Sequence, residues 1–80
     1  MADQFAHPAV AQILRHFDYS HLPADLQYVS VPFKNIAMRM AEQFDGPEVT
    51  VGLRKLLEAK DCFVRAAVEK NKETTTMENT

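Results

Sequence analysis

The longest apolar pattern in the chain lies between Val49 and Val68, and its spacing is that of an α-helix. One stripe recurs at alternating steps of four and three residues, which is the repeat of a single helix face. Its members are Val49, Leu53, Leu56, Lys60, Phe63 and Ala67. A second stripe beside it is formed by Leu57, Val64 and Val68. One partner helix cannot bury both stripes, so we expect further copies of the chain to cover the remaining surface.

Two shorter patterns precede this helix. Pro8 suits the first position of a short helix that ends near Asp18 and places Val10, Ile13, Leu14 and Phe17 on one side. A second helix, with Pro23 in its first turn, has an apolar face formed by Leu26, Val29, Phe33, Ile36, Met40 and Phe44. Pro32 interrupts that face, removes a backbone donor and clashes with the carbonyl four residues earlier. We therefore expect one kinked helix there and not two separate helices.

The clearest turn signal is Asp-Gly-Pro at positions 45–47, since Gly46 can adopt positive φ and Pro47 is preset for a helix start. The third helix is predicted from about Pro47 to about Lys70, antiparallel to the second. The last ten residues, 71–80, lack an apolar period and are predicted to be a flexible tail. The sequence thus predicts an all-α fold: a short N-terminal helix plus an antiparallel helical hairpin, with residues 1–70 as one domain.

Length and cysteine content add to the expectation of self-association. A chain of 80 residues is near the size at which a lone core is only marginally stable, and its single cysteine excludes an intrachain disulfide. We expect Cys62, beside Phe63, to be a small buried hydrophobic residue in a reducing compartment. No apolar run approaches the roughly 20 residues that span a bilayer, so we expect a cytoplasmic protein without a membrane partner.

Charge argues against one class of partner. Nine basic and eleven acidic residues give a net charge of −2, unlike the basic surface of a module that binds duplex nucleic acid. Nucleic-acid polymers are therefore not expected as partners. A small anionic ligand needs only a local cluster of cations and donors, which this composition permits.

The residues that could carry out catalysis or bind a metal do not form a recognisable set. His7, His16 and His21 lack the i, i+4 spacing of two ligands on a helix face, and no cysteine pair supports them. Neither Ser20 nor Ser30 lies in a strand-to-helix elbow. With two glycines the chain also lacks a glycine-rich phosphate loop. We expect no enzymatic activity, no cofactor and no metal.

Charged residues on the third helix allow two interpretations. Lys60 lies within the first apolar stripe, where it either extends its ammonium to water or to an acid of a neighbouring helix, or lines a pocket between subunits. A separate row contains the pairs Arg54–Glu58 and Asp61–Arg65, which compensate each other on a solvated face. Thr50, one turn before Arg54, adds a hydroxyl that would allow this row to bind phosphate instead.

The segment between the first two helices has alternating aromatic and polar residues, with Phe17, Tyr19 and His21 separated by Asp18 and Ser20. In one interpretation Phe17 closes the end of the first helix and Tyr19 covers the hairpin. In the other, an exposed ring stacks on a base while Lys34, just after Pro32, contacts a phosphate.

Two segments, 18–37 and 51–67, resemble a family of small phage proteins. The matching motifs are Leu-Pro followed by Leu-Gln within residues 22–27, Ser30 to Phe33, and LRKLLEAKD at 53–61. The family is that of the cyclic-oligonucleotide sponges that defeat CBASS immunity, whose helical hairpin is shared with the sponges that defeat Thoeris immunity. The resemblance covers roughly residues 17–68.

The resemblance implies a hexamer in the host cytoplasm whose subunit interfaces trap cyclic oligonucleotide signals without cleaving them. By position, Tyr19 would stack on a base and Lys34 would reach a phosphate of a cyclic dinucleotide such as 3′,3′-cyclic GMP-AMP, with Ser20 as a further ligand-binding residue. Thr50, Arg54 and Lys55 would belong to a separate cyclic trinucleotide pocket. This chain departs from the family in having Val31, where relatives commonly have a lysine. Two alternatives stay open, a self-associating helical adaptor or assembly protein and a sponge for cyclic ADP-ribose isomers.

Overall fold

Three α-helices make up the part of the chain described by the computed structural model, residues 8–78 with side chains to residue 72. They are α1 (Pro8–Arg15), α2 (Ala24–Gln43) and α3 (Pro47–Glu78). None of the described residues lies in a strand, which confirms the all-α prediction. The molecule is elongated, 53 × 23 × 16 Å, because the 32 residues of α3 extend for about 48 Å. Residues 1–7, with His7, and the last two residues of the predicted tail fall outside this description.

The end of α1 comes three residues earlier than the sequence predicts. The helix ends at Arg15, and the amides of His16, Phe17 and Asp18 each donate to a carbonyl three residues back. Such tightened bonds satisfy the carbonyls that a helix end leaves unpaired. The chain therefore stays coiled as far as Asp18 although the α-helix itself has ended.

α2 runs unbroken through Pro32, which confirms the prediction of one helix and not two. Pro23 is its N-cap and not a helical residue, and its carbonyl accepts from the amides of Leu26 and Gln27. At the other end the amide of Phe44 donates to the carbonyl of Met40. The kink expected at Pro32 stays a prediction.

Gly46 forms the turn between α2 and α3 with a φ of 107°, a conformation that favours glycine. α3 begins at Pro47 as predicted but continues to Glu78, so the predicted end near Lys70 is wrong. Residues 71–78 contain no glycine or proline to stop the helix, and Asn71 donates a side-chain hydrogen bond to Asp25 of α2. This bond ties the start of the predicted tail to the N-terminal turn of α2.

The core lies where α1 packs against α2 and α3. Its most buried apolar side chains are Val10, Ile13, Leu14 and Phe17 from α1 and the residues after it, Ala37 from α2 and Leu53 from α3. The predicted apolar side of the first helix is thus confirmed, and Phe17 closes its end. Leu53, from the first stripe of α3, is 1% exposed.

The predicted core face of α2 is only partly correct. The most buried residues of α2 are Ser30 and Ala37, two turns apart on one face, while Ile36 is 45% and Phe44 58% exposed. Small side chains at these positions let the neighbouring helices approach closely, which leaves part of the large apolar stripe on the surface. Phe33 contacts both the core and the exposed apolar surface. It packs against the core, and its ring centroid lies 5.9 Å from that of the exposed Phe63.

Candidate functional site

The loop between α1 and α2 is held in place at both ends. Phe17 is completely buried, and the amide of Leu22 donates to the carbonyl of Tyr19 over 2.9 Å. The side chain of Gln27 in α2 donates to the carbonyl of Leu22 over 2.8 Å. These contacts fix Tyr19 and Ser20 between two anchored points, with Tyr19 half-buried and Ser20 exposed.

Lys34 extends from α2 to this loop and meets Tyr19. Its Nζ lies 5.5 Å from the centroid of the Tyr19 ring, within the range of a cation–π contact. The same Nζ donates to Oδ1 of Asp18 over 2.7 Å. The side chains of Lys34 and Asp18 are 32% and 55% exposed. The structure thus brings together two of the residues predicted to bind a ligand, and it adds a carboxylate that the sequence analysis did not include.

Asp18 is ionised at neutral pH. The hydrogen bond from Lys34 lowers the pKa of Asp18 below its ordinary value, burial opposes this shift, and the charges of Lys34, His21 and Arg15 add to it. In the free protein the Lys34 ammonium is therefore paired with a carboxylate. Such an exposed pair contributes only about 0–1 kcal/mol, so a ligand phosphate can displace Asp18 or share Lys34 at small cost.

The second predicted set, Thr50, Arg54 and Lys55, lies on the first turns of α3. Thr50 is half-buried, and Arg54 and Lys55 are exposed. Thr50 and Arg54 are four residues apart and share a helix face, while Lys55 points away from it. Among the described residues, no hydrogen bond or ion pair links this set to Tyr19 or Lys34, so the two sets form separate places on the molecule.

Two pockets flank Asp18, and we call them the polar pockets because charged side chains line both. The larger, about 470 Å³, is lined by Gln12, Arg15, His16, Asp18 and His21. The smaller, about 210 Å³, is lined by Arg15, Asp18 and Lys34 with three apolar residues. Arg15 and Asp18 were not predicted as site residues, because helical periodicity does not reveal that the end of α1 docks beside Lys34.

An apolar groove of about 470 Å³ lies between the last turns of α2 and the first turns of α3. Its apolar walls are Ile36, Met40 and Phe44 from α2 and Val49, Leu53 and Leu56 from α3. Phe63 adds exposed apolar surface further along α3, where it is 57% exposed. The part of the α2 stripe that the core leaves uncovered therefore contributes one wall of this groove.

Two predictions about α3 require correction. Cys62 is exposed and not buried, and its Sγ accepts a hydrogen bond from Arg65 over 3.4 Å. Asp61 pairs with Lys60 over 3.0 Å and not with Arg65. The stem of Lys60 is buried while its ammonium reaches an acid, as the first interpretation expected, but that acid belongs to the same helix.

Comparisons with models of known protein families, with curated proteins and with solved structures find no match. No helix in the described part of the chain is long and apolar enough to cross a membrane. Residues 8–78 also contain no group of three or more His, Cys, Asp or Glu side chains placed to hold a metal ion. The geometry around Tyr19 and Lys34 is therefore the main support for a functional interpretation.

Proposed function

We propose that this chain is a phage anti-immunity protein that sequesters cyclic oligonucleotide messengers without cleaving them, so that CBASS effectors in the host cytoplasm are not activated. The observation that supports this proposal is that the Lys34 ammonium lies 5.5 Å from the centroid of the Tyr19 ring. The loop that contains Tyr19 is fixed at both ends. A nucleotide requires a flat apolar surface for its base and a cation for its phosphate. Tyr19 and Lys34 offer both, with Ser20 as a further polar contact.

The affinity required for sequestration argues that two such sites cooperate. Nanomolar binding corresponds to about 12 kcal/mol at standard state. One base stacked on one ring contributes roughly 1–3 kcal/mol, and one charge-assisted hydrogen bond about 1.5–3 kcal/mol. A single half-site therefore supplies roughly 2.5–6 kcal/mol, at most about half of the required free energy, before the cost of association is subtracted. A two-fold interface would place two Tyr19 rings and two Lys34 ammonium groups on one cyclic dinucleotide.

The exposed apolar surface supports the same assembly. We propose that α2 and α3 form an antiparallel hairpin whose apolar groove packs against other copies, giving a hexamer. Ile36 and Phe44 line the apolar groove and are exposed in one chain, and Phe63 adds exposed apolar surface on α3. Exposed apolar surface of this kind marks interaction sites. We expect Ile36→Ser with Phe44→Ser to yield a smaller species in sedimentation velocity, while Val51→Ser, outside the groove, leaves the assembly unchanged. If the double variant keeps the wild-type sedimentation coefficient, the groove is not the interface.

Binding measurements on single variants test the ligand site. Tyr19→Ala and Lys34→Ala should each weaken 3′,3′-cyclic GMP-AMP binding at least tenfold in isothermal titration calorimetry without changing the oligomer. Tyr28→Ala and Lys70→Ala are matched controls, because both side chains are exposed and neither lines the pockets beside Asp18. Unchanged affinity in both site variants would show that the ligand binds elsewhere. Arg54→Ala should weaken only cyclic trinucleotide binding, through the site of Thr50, Arg54 and Lys55.

The apolar groove favours a second candidate, a self-associating helical adaptor or assembly protein. An adaptor uses the groove for a protein partner and gains no stability from nucleotides, whereas a sponge does. A sponge for cyclic ADP-ribose isomers would use the same pairing of aromatic ring and cation. A ligand panel that includes these isomers separates the three candidates.

A further inference from the structure

The larger polar pocket at the end of α1 is not used by the site proposed above. We infer that this pocket is a subsite for a phosphoryl group, with Arg15 as its principal contact and Gln12, His16 and His21 as additional hydrogen-bond donors. Its volume of about 470 Å³ accommodates a phosphate ester together with bound water.

The lining residues have the chemistry that such a group requires. A guanidinium presents five donors in a planar fork that matches two phosphate oxygens, an amide adds donors, and an imidazole donates from one nitrogen or from both when protonated. Asp18 is the single carboxylate among the lining residues, and its Oδ1 is bonded to Lys34. Arg15 forms no ion pair with another described residue, so its guanidinium is available to an anion.

The local charge is opposite in sign to that of the whole protein. The chain has a net charge of −2, yet Arg15 and Lys34 surround one carboxylate here, with two histidines beside them. The C-terminal end of a helix normally repels anions. That objection is weak for α1, which has eight residues and whose last carbonyls already accept from the amides of His16, Phe17 and Asp18.

The subsite is continuous with the site of Tyr19 and Lys34. Arg15 and Asp18 line both polar pockets, and Lys34 lines the smaller one. A cyclic dinucleotide carries two phosphoryl groups, and in the two-fold site each of them can contact Lys34 and Arg15 of one copy. This assignment of the ligand rests on the proposed function, whereas the capacity of the pocket to bind phosphate does not.

Histidine ring signals in two-dimensional NMR provide a direct test, because His16 and His21 line the pocket. The full-length protein is titrated with inorganic phosphate at constant pH and ionic strength, with chloride as the replaced anion. We expect saturable shifts of the His16 and His21 signals that disappear in Arg15→Gln and persist in Arg39→Gln, since Arg39 is exposed and lines neither polar pocket. Arg15→Lys should bind phosphate more weakly than wild type, because lysine keeps the positive charge but lacks the planar donors of the guanidinium.

The same variants in a 3′,3′-cyclic GMP-AMP titration separate this inference from the proposed function. We expect Arg15→Gln to weaken ligand binding at least tenfold. Saturable, Arg15-dependent phosphate shifts in a protein that binds no cyclic nucleotide would support the subsite and refute the sponge. If the cyclic nucleotide binds equally well to wild type and Arg15→Gln, and phosphate causes no saturable shift, the subsite is refuted and the sponge stands.

Discussion

Replacement of Ser30 by alanine should stabilise the protein. Ser30 is 1% exposed on the buried face of α2, and its Oγ has no hydrogen-bond partner among the described residues. Burial of a hydroxyl without a partner costs about 1–3 kcal/mol in mutational data, and alanine is the better helix former by roughly 0.5 kcal/mol. The lost oxygen leaves a small void, which offsets part of this gain. We expect a net gain in unfolding free energy of about 1 kcal/mol for Ser30→Ala.

Thermal unfolding followed by circular dichroism measures this effect. For a chain of this size, 1 kcal/mol raises the Tm by roughly 4–8 °C. Wild type and variant are compared at equal protein concentration, because self-association makes the Tm concentration-dependent. Ser20→Ala, at an exposed loop position, should stay within about 0.5 kcal/mol of wild type. A lower Tm for Ser30→Ala would refute the reasoning, since the hydroxyl would then have a partner that outweighs its burial.

Two pairs of substitutions test the backbone and the core by urea unfolding. Gly46→Ala should lower the free energy of unfolding by about 1 kcal/mol because φ is 107°. Gly52 lines the apolar groove, so Gly52→Ala is made in the chain that already carries Ile36→Ser and Phe44→Ser, where the proposed contact between copies is lost. There it should raise the free energy of unfolding by about 0.4–1 kcal/mol, because an added Cβ meets nothing within 4 Å. Equal effects at the two positions would contradict this. Leu53→Ala should lower the free energy of unfolding by about 2–5 kcal/mol, since the side chain is fully buried. Val51→Ala, on the exposed side of the same turn, should lower it much less. If Leu53→Ala lowers the free energy of unfolding by less than about 1 kcal/mol, the core does not lie around Leu53.

The positions of the three helices could be predicted because strong local signals mark them. Pro8, Pro23 and Pro47 lie at helix starts, and Gly46 provides the positive φ of the turn. Apolar periodicity also identified the core side of the first helix and the burial of Leu53. α3 extends beyond its predicted end because the polar residues after Lys70 include no helix-breaking residue.

Tertiary contacts could not be predicted in the same way. The pattern of α2 shows two adjacent faces, one with large apolar residues and one with Ser30 and Ala37, and sequence does not state which face α1 and α3 cover. The fold buries the small residues and leaves Ile36 and Phe44 exposed. A ligand site with an aromatic loop residue and Lys34 was predicted from the residues, and the resemblance identified the ring as Tyr19. The contact of Lys34 with Asp18 depends on how the loop docks against α2.

The most direct test of the central claim is a thermal-shift panel on the wild-type protein. The panel contains cyclic dinucleotides, with 3′,3′-cyclic GMP-AMP first, cyclic trinucleotides and cyclic ADP-ribose isomers. A ligand at a hundredfold excess over its Kd stabilises the folded protein by about 2.7 kcal/mol, and we predict a shift of several degrees with 3′,3′-cyclic GMP-AMP, which is then recovered intact from the denatured sample. No shift with any of these ligands on a well-folded sample would contradict the sponge and favour the helical adaptor.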